Sequence, residues 1–150
     1  MPTVTPFLWF TEGAKEAHEH YSRIFGVGQP DGASGHQPFF SATLRIGDTE
    51  MIIFNGGPND PMSFNPSISM FVICDDQGEV DRYWDGLCEG GEPGRCGWLT
   101  DKFGVTWQII PRLFNDLMAS PDPAVRERVM AAMMQMDKFD CAALTSAAKG

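Results

Sequence analysis

Positive charge is scarce in this chain. Its 150 residues carry 11 Lys and Arg against 20 Asp and Glu, a formal net charge of −9. Phosphate backbones and anionic membranes need clustered cations, so neither nucleic acid nor a membrane is expected as a partner. No apolar run reaches the roughly 18 residues of a membrane-spanning helix. Met1-Pro2-Thr3-Val4 lacks the basic and apolar regions of a secretory signal, so a cytoplasmic location is expected. Cysteine is sparse as well. Cys74, Cys88, Cys96 and Cys141 form no CxxC spacing, which argues against a zinc knuckle and for free thiols. Cys96 reads as a small packed residue rather than a nucleophile.

What the chain does have is a repeat. Gly47, Thr49, Ile52 and Ile53 recur as Gly104, Thr106, Ile109 and Ile110. Each set reads as a glycine turn followed by a buried strand, so the chain is built from two copies of one unit. The periodicity predicts a strand over Val4–Phe10 and a helix over Glu12–Ile24, stopped by Gly26 and Gly28. A loop over Asp31–Gly35 and strands over Phe39–Ile46 and Thr49–Phe54 follow. The second copy repeats the order. A strand covers Ser67–Cys74, and a helix covers Gly78–Cys88 behind a cap at Asp75 or Asp76. Strands over Gly97–Phe103 and Val105–Ile110 complete it. The units span about residues 3–56 and 66–111 of a single domain. About residues 112–150 form a tail of three helices, with Pro123 in a first turn. Its methionine-rich face (Met130, Met133, Met134) reads as packing.

Several long segments resemble one family. They are Pro6-Phe7-Leu8-Trp9-Phe10, Tyr21 with Ile24-Phe25-Gly26, Asn55-Gly56-Gly57-Pro58 and Phe64-Asn65-Pro66. Tyr83-Trp84, the run from Cys96 to Gly104, and Trp107-Gln108 continue the series. Together they resemble the PhnB-like family, often labelled 3-demethylubiquinone-9 3-methyltransferase, within the vicinal oxygen chelate superfamily of glyoxalase I and bleomycin-resistance proteins. The resemblance implies an α+β fold. In it, two βαβββ units curl into a glyoxalase-like barrel with a cavity, and the chain pairs as a homodimer. The segment Pro58–Ser63 departs from the family pattern.

Glyoxalase-type members hold a divalent metal on first and last strands. Counting from the turn glycines and the helix aromatics places Pro6, Met51, Ser69 and Gln108 at those positions. Proline offers no donor, thioether sulfur suits soft metals, and a neutral amide and hydroxyl do not offset the desolvation of a divalent ion. His18 and His20 stand two apart on a helix and share no face. His36 falls in a loop. No metal and no cofactor are therefore expected. The glycine pairs follow helices, unlike the strand-to-helix turn of a nucleotide-type cofactor site, which argues against methyl transfer.

Strand alternation from those positions puts Leu8, Phe10, Met51, Ile53, Ser69, Phe71 and Gln108 on the inward face. Asn55, Phe64, Asn65 and Trp98 are expected at the rim. This lining is apolar with a few polar points, the character of a small-molecule pocket. Asp101-Lys102 reads as a surface turn, since adjacent strand residues point to opposite faces. The expected function is metal-free binding of a small molecule. A metal-independent enzyme using Gln108 or Asp101, and a structural dimer with a filled core, are the alternatives.

Overall fold

The computed structural model describes residues 1–28, 39–59 and 62–150. The loop expected at Asp31–Gly35, together with His36, lies outside the described residues. Two compact units divide the chain, Met1–Ser63 and Phe64–Gly150.

In the first unit, β1 (Phe7–Phe10), α1 (Ala14–Phe25), β2 (Ser41–Ile46) and β3 (Thr49–Asn55) follow in order. The sheet runs β1-β3-β2, with β1 parallel to β3 and β2 antiparallel to it. Ala14, Ala17, Tyr21 and Ile24 recur at helical spacing and are buried, so α1 presents one apolar stripe to the sheet. His18 adds a polar tie. Its Nε2 lies 3.0 Å from the carbonyl oxygen of Thr43, an acceptor only, so Nε2 carries the proton and Ser22 Oγ donates to Nδ1. Gly26, at φ 65°, closes α1 in the left-handed conformation, its N–H donating to Ser22 O. β1 begins at Phe7 rather than Val4, which is fully exposed.

The second unit runs β4 (Met70–Cys74), α2 (Gln77–Cys88), β5 (Glu92–Pro93), β6 (Trp98–Thr100) and β7 (Thr106–Pro111). Its sheet order is β4-β7-β6-β5. Asp76 caps α2 by accepting from Glu79 N, and the Glu79 carboxylate reaches back to Asp75 N. β4 starts later than its apolar pattern suggests. Asn65 Oδ1 captures the N–H and hydroxyl of Ser67 in a local turn that competes with strand pairing.

The tail forms α3 (Arg112–Met118), α4 (Pro123–Met133) and α5 (Cys141–Lys149). It docks on one stripe of α2. Gln77 Nε2 donates to Phe139 O while Gln77 Oε1 accepts from Cys141 N, and Lys138 pairs with Asp81 and Asp85. A second anchor is the turn at Cys96 and Gly97, whose φ angles of 57° and 82° are both left-handed. Their N–H groups donate to Met136 O and Asp137 O, and the Phe139 ring packs against Gly97. The methionine expectation needs correcting. Met130 and Met134 are exposed, and the buried tail side chains are Val129, Phe139 and Leu144. Among the described residues no helix is long and apolar enough to cross a membrane.

Candidate functional site

Among the described residues, α1 packs on one face of the first sheet and α2 on one face of the second. In the first unit, register places Leu8, Ala42 and Ile53 in one row and Leu44 opposite Met51. Leu8, Phe10, Leu44, Met51 and Ile53 are all buried, on the face over which α1 lies. The inward assignment of Leu8, Phe10, Met51 and Ile53 is thereby corrected. They are core residues under the helix, because a one-residue shift in strand phase exchanges the two faces.

The opposite face of that sheet carries Phe7, Trp9, Ile52 and Phe54. Phe54 is the hub of an aromatic cluster, with the rings of Phe7, Trp9 and Phe40 each centred 5.1 Å from its own. Trp9 Nε1 donates to Gly57 O. Gly56 lies flat on the indole, where a Cβ would stand 2.2 Å from Trp9 Cε2. The Asn55-Gly56-Gly57 segment is thus the clip that holds Trp9. Asn55 itself is half-buried at the end of β3, and its Oδ1 has no hydrogen-bond partner among the described residues. Sequence reasoning missed this cluster, although a signal was present. Ser41, Thr43 and Arg45 alternate with Ala42, Leu44 and Ile46, and the Gly47-Asp48 turn sets Arg45 opposite Glu50. That pairing alone puts Met51 on the core side.

In the second unit Phe71 and Gln108, expected inward, and Trp98, expected at the rim, share the sheet face opposite α2. Phe71, Gln108 and Trp98 are direct cross-strand neighbours on β4, β7 and β6, and Ile73 pairs with Ile110. Phe71 and Trp98 are 52% and 37% exposed, against 1% for Trp107 and 0% for Ile109 on the helix-covered face. Gln108 Nε2 donates to Ser69 Oγ at 2.8 Å. The structure therefore brings Ser69, Phe71, Trp98 and Gln108 together. It leaves Asn65 exposed and engaged with Ser67, and places Phe64 beside the Gly104 turn.

These atoms do not fit a divalent cation. Met51 is buried under α1, Pro6 has no side-chain donor, and Ser69 and Gln108 are neutral and bonded to one another. Asp101 does not serve as an acid or base either. It is only 3% exposed and accepts from Phe103 N, Val105 N and Trp107 Nε1. It is a turn residue, but a buried one, where a surface turn was expected. Three of the thiols, Cys74, Cys88 and Cys141, are poor nucleophiles. Burial, with Glu79 and Asp75 nearby, pushes Cys74 up to about 12. Burial beside Asp85 pushes Cys88 up to about 11, and burial and Asp140 raise Cys141. All four cysteines are free.

Comparison with known proteins places this geometry. The profile of the family described as 3-demethylubiquinone-9 3-methyltransferase matches residues 2–110. A PhnB protein of Bacillus cereus with the same methyltransferase description is 26% identical. Its TM-score is 0.62, with 73% of this chain and 99% of that one covered. A Pseudomonas aeruginosa protein is 24% identical at a TM-score of 0.60, covering 74% and 98%. A glyoxalase/bleomycin resistance protein of Albidiferax ferrireducens T118 is 13% identical at a TM-score of 0.51, covering 73% and 98%. No curated protein matches. The family match ends where the helical tail begins. The chain belongs to the PhnB-like family described as 3-demethylubiquinone-9 3-methyltransferase, on the fold of the glyoxalase/bleomycin-resistance superfamily.

Proposed function

We propose that the protein is a metal-free binder of a small, partly aromatic molecule, acting as a cytoplasmic homodimer. The observation that carries this reading is the row Phe71–Gln108–Trp98. It sets one hydrogen-bonding amide between two accessible aromatic side chains on the sheet face opposite α2. Such a row, aromatic on both sides of a polar pair, suits a flat organic ligand. The neutral Ser69–Gln108 pair supports binding without a metal. The glycines support binding rather than methyl transfer, since Gly26 closes α1 and Gly90-Gly91 follow α2. Exposed Ile68, Phe71 and Ile73 in the second unit, and exposed Phe7 and Phe40 in the first, support pairing with a second copy.

Native mass spectrometry of protein purified without chelator tests the proposal. A dimer free of metal and carrying an organic adduct is the expected result. Stoichiometric divalent metal would overturn it. Trp98→Ala is expected to release the adduct and leave the dimer intact. Gln108→Leu is expected to weaken binding with little loss of stability, and unfolding would make Gln108 structural.

A further inference from the structure

Gln108 Nε2 donates to Ser69 Oγ, and because a hydroxyl can also donate, turning the amide over would likewise keep a free donor and a free acceptor on the pair. The bond as it stands leaves one N–H, the Gln108 Oε1 acceptor and the Ser69 hydroxyl hydrogen without a protein partner among the described residues. Donor and acceptor therefore stand side by side, and both are neutral. The strand positions sharing this face are Phe71, Ile73, Trp98, Thr100, Thr106 and Ile110, with Glu92 opposite Thr100 at the sheet edge; the one charge among them is negative.

A carboxylate or phosphate placed here would lose water with no cation to meet it, in a chain of net charge −9. A ligand group that only accepts would leave Oε1 unpaired. A hydroxyl satisfies both sides, donating to Oε1 and accepting from the remaining amide hydrogen or from Ser69. The neighbouring Phe71 and Trp98 side chains favour a flat ring carrying it. We infer that the ligand is an uncharged planar ring compound bearing a hydroxyl group, which Gln108 and Ser69 read. This inference rests on the assignment of this face as a small-molecule site.

Calorimetric titration with three probes tests it: 2-naphthol, 2-methoxynaphthalene, which lacks the donor, and 2-naphthoate, which is anionic at neutral pH. The wild-type protein is expected to bind 2-naphthol roughly tenfold more tightly than either of the others. Gln108→Met, of similar shape, is expected to bring the naphthol-to-methoxynaphthalene ratio to about one while thermal stability holds. Ser69→Ala provides a second variant and is expected to lower the ratio in part. Trp98→Ala is expected to weaken all three probes alike. Failure of the wild type to prefer 2-naphthol, or to bind any probe, would overturn the hydroxyl inference. So would a ratio left intact in Gln108→Met. If Trp98→Ala still weakens every probe in that case, the site stands and only the ligand class falls. If neither Trp98→Ala nor Gln108→Met changes any affinity, the face is not the site and the binding proposal falls too.

Discussion

In the first unit the hairpin β2–β3 closes through two residues, Gly47 and Asp48, with Ile46 opposite Thr49. In the second, β6–β7 closes through five, Asp101 to Val105, with Thr100 opposite Thr106. Each chain then runs Thr, one residue, and the position equivalent to a glyoxalase-type ligand. In the first unit that position is Met51, buried under α1. In the second it is Gln108, half-buried on the face opposite α2. A sequence repeat thus preserves element order while the side-chain phase differs by one residue between copies. The consequence is chemical. The face of the first sheet opposite α1 is an aromatic cluster around Phe54, and its Arg45 and Glu50 charges neutralise each other. That of the second holds a polar pair.

The comparison breaks most sharply at the turns. Asp101 is buried and holds three N–H donors, while Asp48 is exposed in a two-residue turn. Asp101→Ala leaves those donors without their acceptor and should cost about 3 kcal/mol or more. Asp48→Ala should stay within about 0.5 kcal/mol. Urea denaturation of both variants measures the difference, and similar midpoints would mean that the longer loop does not depend on its carboxylate. Glycine gives the next contrast. Gly97→Ala places a methyl 2.7 Å from the Phe139 ring and 2.8 Å from Ile109 O, at φ 82°. Strain and displacement of the tail together should cost about 3 kcal/mol. Gly47→Ala, at φ 57° with nothing within 4 Å, should cost only about 1 kcal/mol. Comparable losses in thermal unfolding would show that Phe139 yields readily and that the tail is loosely held.

Element order, both helix stops and the Asp76 cap were legible because each rests on local chemistry. Periodicity sets a helix, glycine ends it, and an aspartate caps the next. The grouping of Phe71 with Gln108 on one face of the second sheet was legible for the same reason, since a single count locates the phase of β4 and β7. Three things were not legible. The phase of β1 and β3 was counted from Pro6 and Met51 as if both copies were in step. The polar alternation of Ser41, Thr43 and Arg45 was the better guide, because antiparallel register carries it directly onto β3. Asp101 reads as a surface turn because adjacent strand residues point to opposite faces and cannot pair in a site, whereas the indole of Trp107 draws the carboxylate inward. The tail's dock joins the Gln77, Asp81 and Asp85 side chains of α2 to Lys138 and to backbone groups of Phe139 and Cys141, and Cys96 and Gly97 to the tail through backbone alone, so no pattern within either segment announces the partner.

The smallest contrast lies at the threonines that open each returning strand. Thr106 is 4% exposed and its Oγ1 has no hydrogen-bond partner among the described residues, whereas Thr49 is exposed. A buried hydroxyl without a partner has given up its hydration for nothing, at a cost of about 1–3 kcal/mol. Valine has nearly the same shape and the same preference for strands, so replacement removes that cost without opening a cavity. Thr106→Val is therefore expected to raise stability by about 1 kcal/mol, a shift of a few degrees in thermal midpoint for a chain of this size. Thr49→Val exchanges a hydrated hydroxyl for an exposed methyl and should change little. Loss of stability in Thr106→Val would show that the hydroxyl is satisfied in solution, and the two units would then differ less than their faces suggest. A gain confined to Thr106 would mean that the second sheet carries an uncompensated polar atom two residues from Gln108, on the same face as its amide.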